Sequence, residues 1–361
     1  NKTVFNLLFF WHLFFCIVYY HYSLNNPADS HSYFDSSLVK FADFGTGAVV
    51  IINITRVFSY FLDLSYFNCF FIFNFIGTIG ILFFYLTLRE INFYKKYIDN
   101  KLFFIIMFLP TMHFWSSAIG KDALSFLAIC IFVWSSINLR NRKNYIILSI
   151  FLMFLVRPHI ASVMSTSVVI AFIFYSNIDL KIKILYLIIL SVVSLYIADY
   201  AFIYVGMPDL ITYSPFKINF HVLFDFINKR EAANLSLTGG IDISSMGPLM
   251  KVFTYLYRPL PFEIKDFYQF VVSIENILLI YFTFIGLMGL FNKENDQHVS
   301  QSKLLLFVYI ILAVIILSFT SANFGINSRQ KWMIFPAILV LAYQFSIKNI
   351  FSEIFKNKFK T

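Results

Sequence analysis

The chain has 361 residues, of which 59% are hydrophobic, 20% aromatic and only 13% charged, and phenylalanine alone supplies 48. A water-soluble surface needs a far larger polar share, so a soluble globular enzyme is excluded and the surface suits lipid. The formal net charge of +9 would suggest nucleic acid in a soluble protein. Here the basic residues gather in short loops between apolar runs, so membrane topology accounts for them and no nucleic-acid partner is expected.

Only helices or closed barrels cross a bilayer, and these apolar runs are continuous rather than alternating, which selects helices. Ten spans are predicted, over residues 4–22, 65–88, 102–115, 123–138, 145–156, 160–176, 184–205, 271–290, 304–318 and 332–346. The expected fold is all-α: one polytopic integral membrane bundle of about ten transmembrane helices covering residues 1–361. Residues 4–22 are too long and too aromatic for a removable signal peptide and are expected as a retained span. The two short segments around Arg157 are expected to be broken helices meeting in a polar cavity. Loops 89–101, 140–144, 177–183 and 292–303 and the tail from 348 are basic, which puts them and both termini on the cytoplasmic side. The opposite face carries a first outer loop, 23–64, and a large outer loop, 206–270.

Loop 23–64 opens with Asp29-Ser-His31-Ser-Tyr33-Phe-Asp35, two carboxylates and a histidine just after a span. A solvated turn is the plainer alternative. Arg56 falls in an apolar stretch that reads as an interfacial helix, with the arginine towards headgroups. The third and fourth spans join through Pro110-Thr-Met-His113-Phe-Trp-Ser-Ser-Ala-Ile-Gly120-Lys121-Asp122. This is not a nucleotide P-loop, because the first glycine and the preceding strand are missing. Lys121 and Asp122 still open a helix, a position that favours an anion. The alternative is a capping Asp122 with Lys121 snorkelling to the interface.

Arg157-Pro158-His159 interrupts a long apolar stretch, and a charge at depth normally faces a wet cavity or a partner. Loop 206–270 contains Thr238-Gly239-Gly240-Ile-Asp242-Ile-Ser-Ser245-Met-Gly247, a moving lid or a disordered tip, and then Arg258-Pro-Leu-Pro-Phe-Glu263. Arg258 and Glu263 serve a site or simply pair with each other. Asn327-Ser-Arg329-Gln-Lys331 places cations on the face where the topology rule disfavours them, which a bound phosphate would explain. The three cysteines lie in apolar segments, with neither disulfide nor metal spacing.

Lys121, Arg157, Arg258 and Arg329 come from four segments and are expected at one depth near the outer interface. In this plan the chain resembles the Wzy-type polymerases of O-antigen and exopolysaccharide, and more widely the polytopic glycosyltransferases with a GT-C-like membrane fold. The resemblance is carried by Asp29-Ser-His31-Ser-Tyr33, the 110–122 element, Arg157-Pro-His159, Arg258-Pro-Leu-Pro-Phe-Glu263 and Asn327-Ser-Arg329. It implies a multi-pass protein of the bacterial inner membrane that transfers a glycan from undecaprenyl diphosphate to a sugar hydroxyl of a second lipid-linked unit at the periplasmic face. Its partners would be the lipid-linked donor and acceptor, membrane lipid, a flippase and a chain-length regulator. No cofactor is implied, and without an Asp-x-Asp no metal is expected. The diphosphate would fall to Lys121, Arg157, Arg258 and Arg329. The base would be Asp29, Glu263 or His159, with His31, Tyr33, His113, Asp122 and Asn327 contacting substrate. The alternatives are a transferase using a monophosphate lipid donor, an O-antigen ligase, and a flippase or transporter, the last disfavoured by polar residues biased to one face.

Overall fold

The computed structural model describes residues 2–39, 44–95, 100–175, 179–205, 220–235, 240–290 and 297–345. The tail from 348, and Thr238 and Gly239 of the expected lid, lie outside these residues. Among the described residues the fold is helical, and the β feature is an isolated bridge between Gly240 and Asn323. In chain order the helices are α1 (Lys2–Asn25), α2 (Asp29–Ser37), α3 (Ala48–Ser59), α4 (Tyr66–Lys95), α5 (Asn100–Met107), α6 (Pro110–Ser116), α7 (Lys121–Ile137) and α8 (Leu139–Val156). There follow α9 (Pro158–Tyr175), α10 (Leu180–Val205), α11 (Phe220–Leu235), α12 (Pro248–Tyr257), α13 (Phe267–Leu290), α14 (Gln297–Thr320), α15 (Phe324–Gln330) and α16 (Phe335–Phe345).

Five helices carry segments long and apolar enough to cross a membrane: Thr3–Asn25, Tyr66–Ile91, Pro158–Tyr175, Phe267–Leu290 and Ser300–Thr320. At about 1.5 Å per residue, 18–26 residues match a hydrocarbon core of about 30 Å. Large apolar side chains such as Phe10, Phe14, Leu195, Tyr196 and Phe284 face outwards, as a lipid-immersed surface requires. Of the other predicted segments, 102–115, 123–138, 145–156 and 332–345 fall in shorter, interrupted or less apolar helices, and 184–205 falls in α10.

Two prolines set the interruptions. Pro110 opens α6 and pushes Leu109 into an extended conformation (ψ 123°), so the predicted span 102–115 divides into α5 and α6. Pro158 does the same to Arg157 (φ −145°, ψ 75°), separating α8 from α9. Other expected loops are helix instead. Residues 140–144 fall within α8, which kinks at Arg142 (φ −120°, ψ 21°), and α4 runs on to Lys95, because Lys, Arg and Glu sustain a helix beyond its apolar part. The large outer loop contains α11 and α12, and Ile241 donates its N–H to the Ala322 carbonyl at 2.8 Å. Gly240 and Ile241 are thereby tied to the start of the last outer loop rather than forming a disordered tip. Arg56 is another correction. It is buried, not directed to headgroups, and it bonds Asn53 and the carbonyls of Val39 (2.7 Å) and Ser36 (3.2 Å), fastening α3 to the end of α2.

At the centre stands α7, which buries 12 of its 17 residues against α4, α6, α8, α14 and α16. Glycines on α4 allow the close approach. A Cβ on Gly77 would lie 2.1 Å from the Ser116 carbonyl oxygen, and one on Gly80 would lie 2.9 Å from the Phe126 ring. Because the obstacle at Gly77 is backbone, Gly77→Ala is expected to cost about 1–3 kcal/mol through overpacking. A lowered thermal midpoint of the detergent-solubilised protein measures this, and an unchanged midpoint contradicts the packing.

Candidate functional site

The site is assembled where four chain segments meet. Asp29 begins α2, Lys121 and Asp122 begin α7, Arg157 is the single residue between α8 and α9, and Arg329 lies on α15. The last of these is aimed by a local device. The Asn323 side chain accepts from the N–H groups of Gly325 (2.9 Å) and Ile326 (3.2 Å), capping the seven-residue helix that carries Arg329.

Charges alternate through the cluster. Arg329 contacts Asp29 at 3.1 Å and Asp122 at 3.9 Å, and Asp122 accepts from Arg157 at 2.6 Å. The Arg157 Nε adds a bond to Ser125 Oγ at 3.1 Å. Asp122 sits in the first turn of α7, where the helix dipole also favours a carboxylate. It is the anion shared by two guanidinium groups, a positioning role more specific than a simple cap. Arg329 lies over the Trp115 ring at 5.8 Å, and its buried Nε has no partner among the described residues. Burial opposes its charge, but Asp122 and Asp29 outweigh burial and hold it above the ordinary arginine range. Burial also lowers the Lys121 ammonium to about 8; Arg157 adds to the lowering and Asp122 opposes it.

Beside this cluster opens a cavity of about 580 Å³, a size suited to a small-molecule ligand. Lys121, Arg157, Arg329 and Arg230 line it together with His159, while Phe224, Phe226, Ile315, Ile316 and Phe319 form apolar walls. Among the described residues that line it there is no carboxylate. His159 stacks on Tyr204, rings 6.4 Å apart and 14° from parallel, and its buried Nδ1 has no partner among the described residues. Tyr33 and Asp29 line a small hollow that adjoins the cavity through Lys121, Arg157 and Arg329. No family model, curated protein or solved structure matches this chain.

Three of the four predicted phosphate-binding cations thus lie together, with Asp122, Asp29, Tyr33 and His159 beside them. The others do not join them. Arg258 binds Glu263 (2.5 Å), and the second Glu263 oxygen accepts the Leu260 N–H (2.8 Å), so the pair folds its own turn instead of lining the cavity. Burial works to raise the Glu263 carboxyl, but its bonds to Arg258 and Leu260 prevail and hold it below the usual carboxylate range. Lys331, expected to meet phosphate, is buried and donates to Asn276 Oδ1 (2.7 Å) and the Arg258 carbonyl (3.1 Å). His113 is fully buried and contacts His12 (3.2 Å) and the Met107 carbonyl (2.8 Å). His31 packs on the Tyr66 ring at 4.6 Å and contacts the Ser23 carbonyl. Asn327 accepts from Ser321 Oγ at 2.5 Å, which fixes the α14–α15 turn. None of Lys331, His113, His31 and Asn327 lines the cavity, because each is used by local packing.

Arg230 was missed by the sequence reading. It sits in the polar run Asn228-Lys229-Arg230-Glu231, which looks like any solvated helix face. The neighbouring Glu231 forms a buried ion pair with Lys251 of α12.

Proposed function

We propose that this protein is a membrane-embedded glycosyltransferase that polymerises lipid-linked repeat units. In this reading the ten apolar segments cross the bacterial inner membrane, both termini are cytoplasmic and the cavity faces the periplasm. One observation carries the reading: a cavity with several cations and, among the described residues, no lining carboxylate at its polar side, walled elsewhere by Phe and Ile. That is the shape and charge of a site for an anionic amphiphile, a phosphorylated head with a hydrocarbon tail.

Arg157 and Arg329 grip phosphoryl oxygens through planar forks, and Lys121 supplies a third positive charge. Asp122 holds the two guanidinium groups in place before the ligand arrives. The acceptor hydroxyl oxygen bonds to the anomeric carbon as the bond from that carbon to the diphosphate oxygen breaks. The electron pair leaves with undecaprenyl diphosphate, whose charge the cations stabilise. The hydroxyl proton passes to a base. With Glu263 committed to Arg258, the remaining base candidates are Asp29, in the adjoining hollow, and His159, in the cavity wall.

The purified protein, given a lipid-linked repeat unit, is expected to yield products whose masses rise by whole repeats. Addition of one sugar from a monophosphate lipid would overturn polymerisation, and no transfer at all would overturn the enzymatic reading. The buried Lys121 adds a pH signature. It is charged below about 8 and loses its proton above, so affinity for a prenyl diphosphate is expected to fall as pH rises from 7.5 through 9.5. Anion binding favours the charged form, so the fall sits at or above pH 8. Lys121→Arg is expected to flatten the profile, and a wild-type profile already flat contradicts the assignment.

A further inference from the structure

Arg157 is held by two hydrogen bonds, to Asp122 and Ser125, whereas among the described residues Arg329 makes one, to the exposed Asp29. At 3.9 Å the approach of Arg329 to Asp122 is longer than a hydrogen bond. The direction of the Arg329 fork therefore depends on what holds α15 and on the Trp115 ring, 5.8 Å away. Both are tied to Tyr268, at the start of α13. The Trp115 Nε1–H donates to the Tyr268 hydroxyl at 3.1 Å, and that hydroxyl bonds Ser328 Oγ on α15. Ser328 in turn donates to the Gly325 carbonyl at 2.8 Å. An indole N–H only donates, and the Ser328 proton is committed to Gly325. Every bond in the chain thus has one polarity, from Trp115 to Tyr268 to Ser328 to Gly325.

Tyr268 lines neither the cavity nor the adjoining hollow. It stands where α6, α13 and α15 meet, and its hydroxyl bonds both the ring beside Arg329 and the residue before Arg329. We propose that Tyr268 is a positioning residue that aims the Arg329 guanidinium at the phosphoryl group, by locking the Trp115 ring and α15 together. Tyr268→Phe keeps the aromatic ring but removes both bonds, so the indole is free to turn about its side-chain torsions and α15 loses this tie to α13. The role rests on the anionic-lipid reading of the cavity and names what holds one of its cations in place.

The test measures binding of farnesyl diphosphate to the full chain in detergent, for the wild type, Tyr268→Phe, Arg329→Gln and the double variant. Tyr268→Phe is expected to lose about three- to tenfold in affinity, the scale of one weakened hydrogen bond. In the Arg329→Gln background, where Lys121 and Arg157 remain to bind the probe, the same change is expected to cost little more, because no guanidinium is left to aim. Ser328→Ala breaks the chain one bond later and is expected to repeat both results, so it reads the coupling even where Tyr268→Phe does not fold. An equal loss in both backgrounds would mean that Tyr268 acts through general stability, and no loss in either would mean that Arg329 needs no such support. Each of these overturns the role of Tyr268 while leaving the anionic-lipid reading standing. A wild-type protein that does not bind farnesyl diphosphate overturns that reading and the inference together.

Discussion

Arg157→Gln is expected to abolish polymer formation while the protein remains in the membrane. Arg157 is buried, lines the cavity and is held by Asp122 and Ser125, so its guanidinium is preset where negative charge would build. Loss of one preorganised donor to a developing anion typically costs about 10²–10³ in rate, and here a full charge is lost with it. Arg157→Lys keeps the charge but cannot reproduce the fork that bonds Asp122 and Ser125 together, so it is expected to recover only part of the activity. Repeat-unit ladders on a gel, with protein level measured in the same membranes, separate this from poor expression. A wild-type ladder at normal expression would remove Arg157 from the site.

The largest stability effect is expected at Asp122. Its carboxylate serves Arg157 at 2.6 Å and faces Arg329 at 3.9 Å, with its side chain only 15% exposed. Asp122→Asn leaves two poorly solvated guanidinium groups without their shared anion, and removal of one partner from a buried pair costs about 3–5 kcal/mol. Asp29→Asn is the contrast. The Asp29 side chain is 58% exposed, so its bond to Arg329 is worth at most about 1 kcal/mol. Thermal unfolding of the two variants in one detergent is expected to show a large loss for Asp122→Asn and a small one for Asp29→Asn. Equal losses would mean that Asp122 does not hold the cluster together.

Helix positions were legible because hydrophobic runs are long and uninterrupted. Helix ends were less so: α8 begins among Arg140, Arg142 and Lys143, and hydropathy marks what lipid touches rather than where the backbone stops coiling. Prolines carried more information, since Pro110 and Pro158 fix both breaks. For the site, Lys121, Asp122, Arg157 and Arg329 stood out because a charge beside or inside an apolar run is costly and needs a reason. Arg258 stood out by the same criterion, yet a carboxylate five residues away supplied its reason locally. Arg230 had no such contrast with its neighbours, and only the packing of α11 through Glu231 and Lys251 turns it to the cavity.

The most direct test is an experimental structure of the full chain with farnesyl diphosphate bound. The diphosphate is expected within hydrogen-bonding distance of Arg157 and Arg329, near Lys121, with the prenyl chain along Phe224, Phe226 and Phe319. A diphosphate bound away from these cations, or its tail and head reversed in the cavity, would contradict that placement.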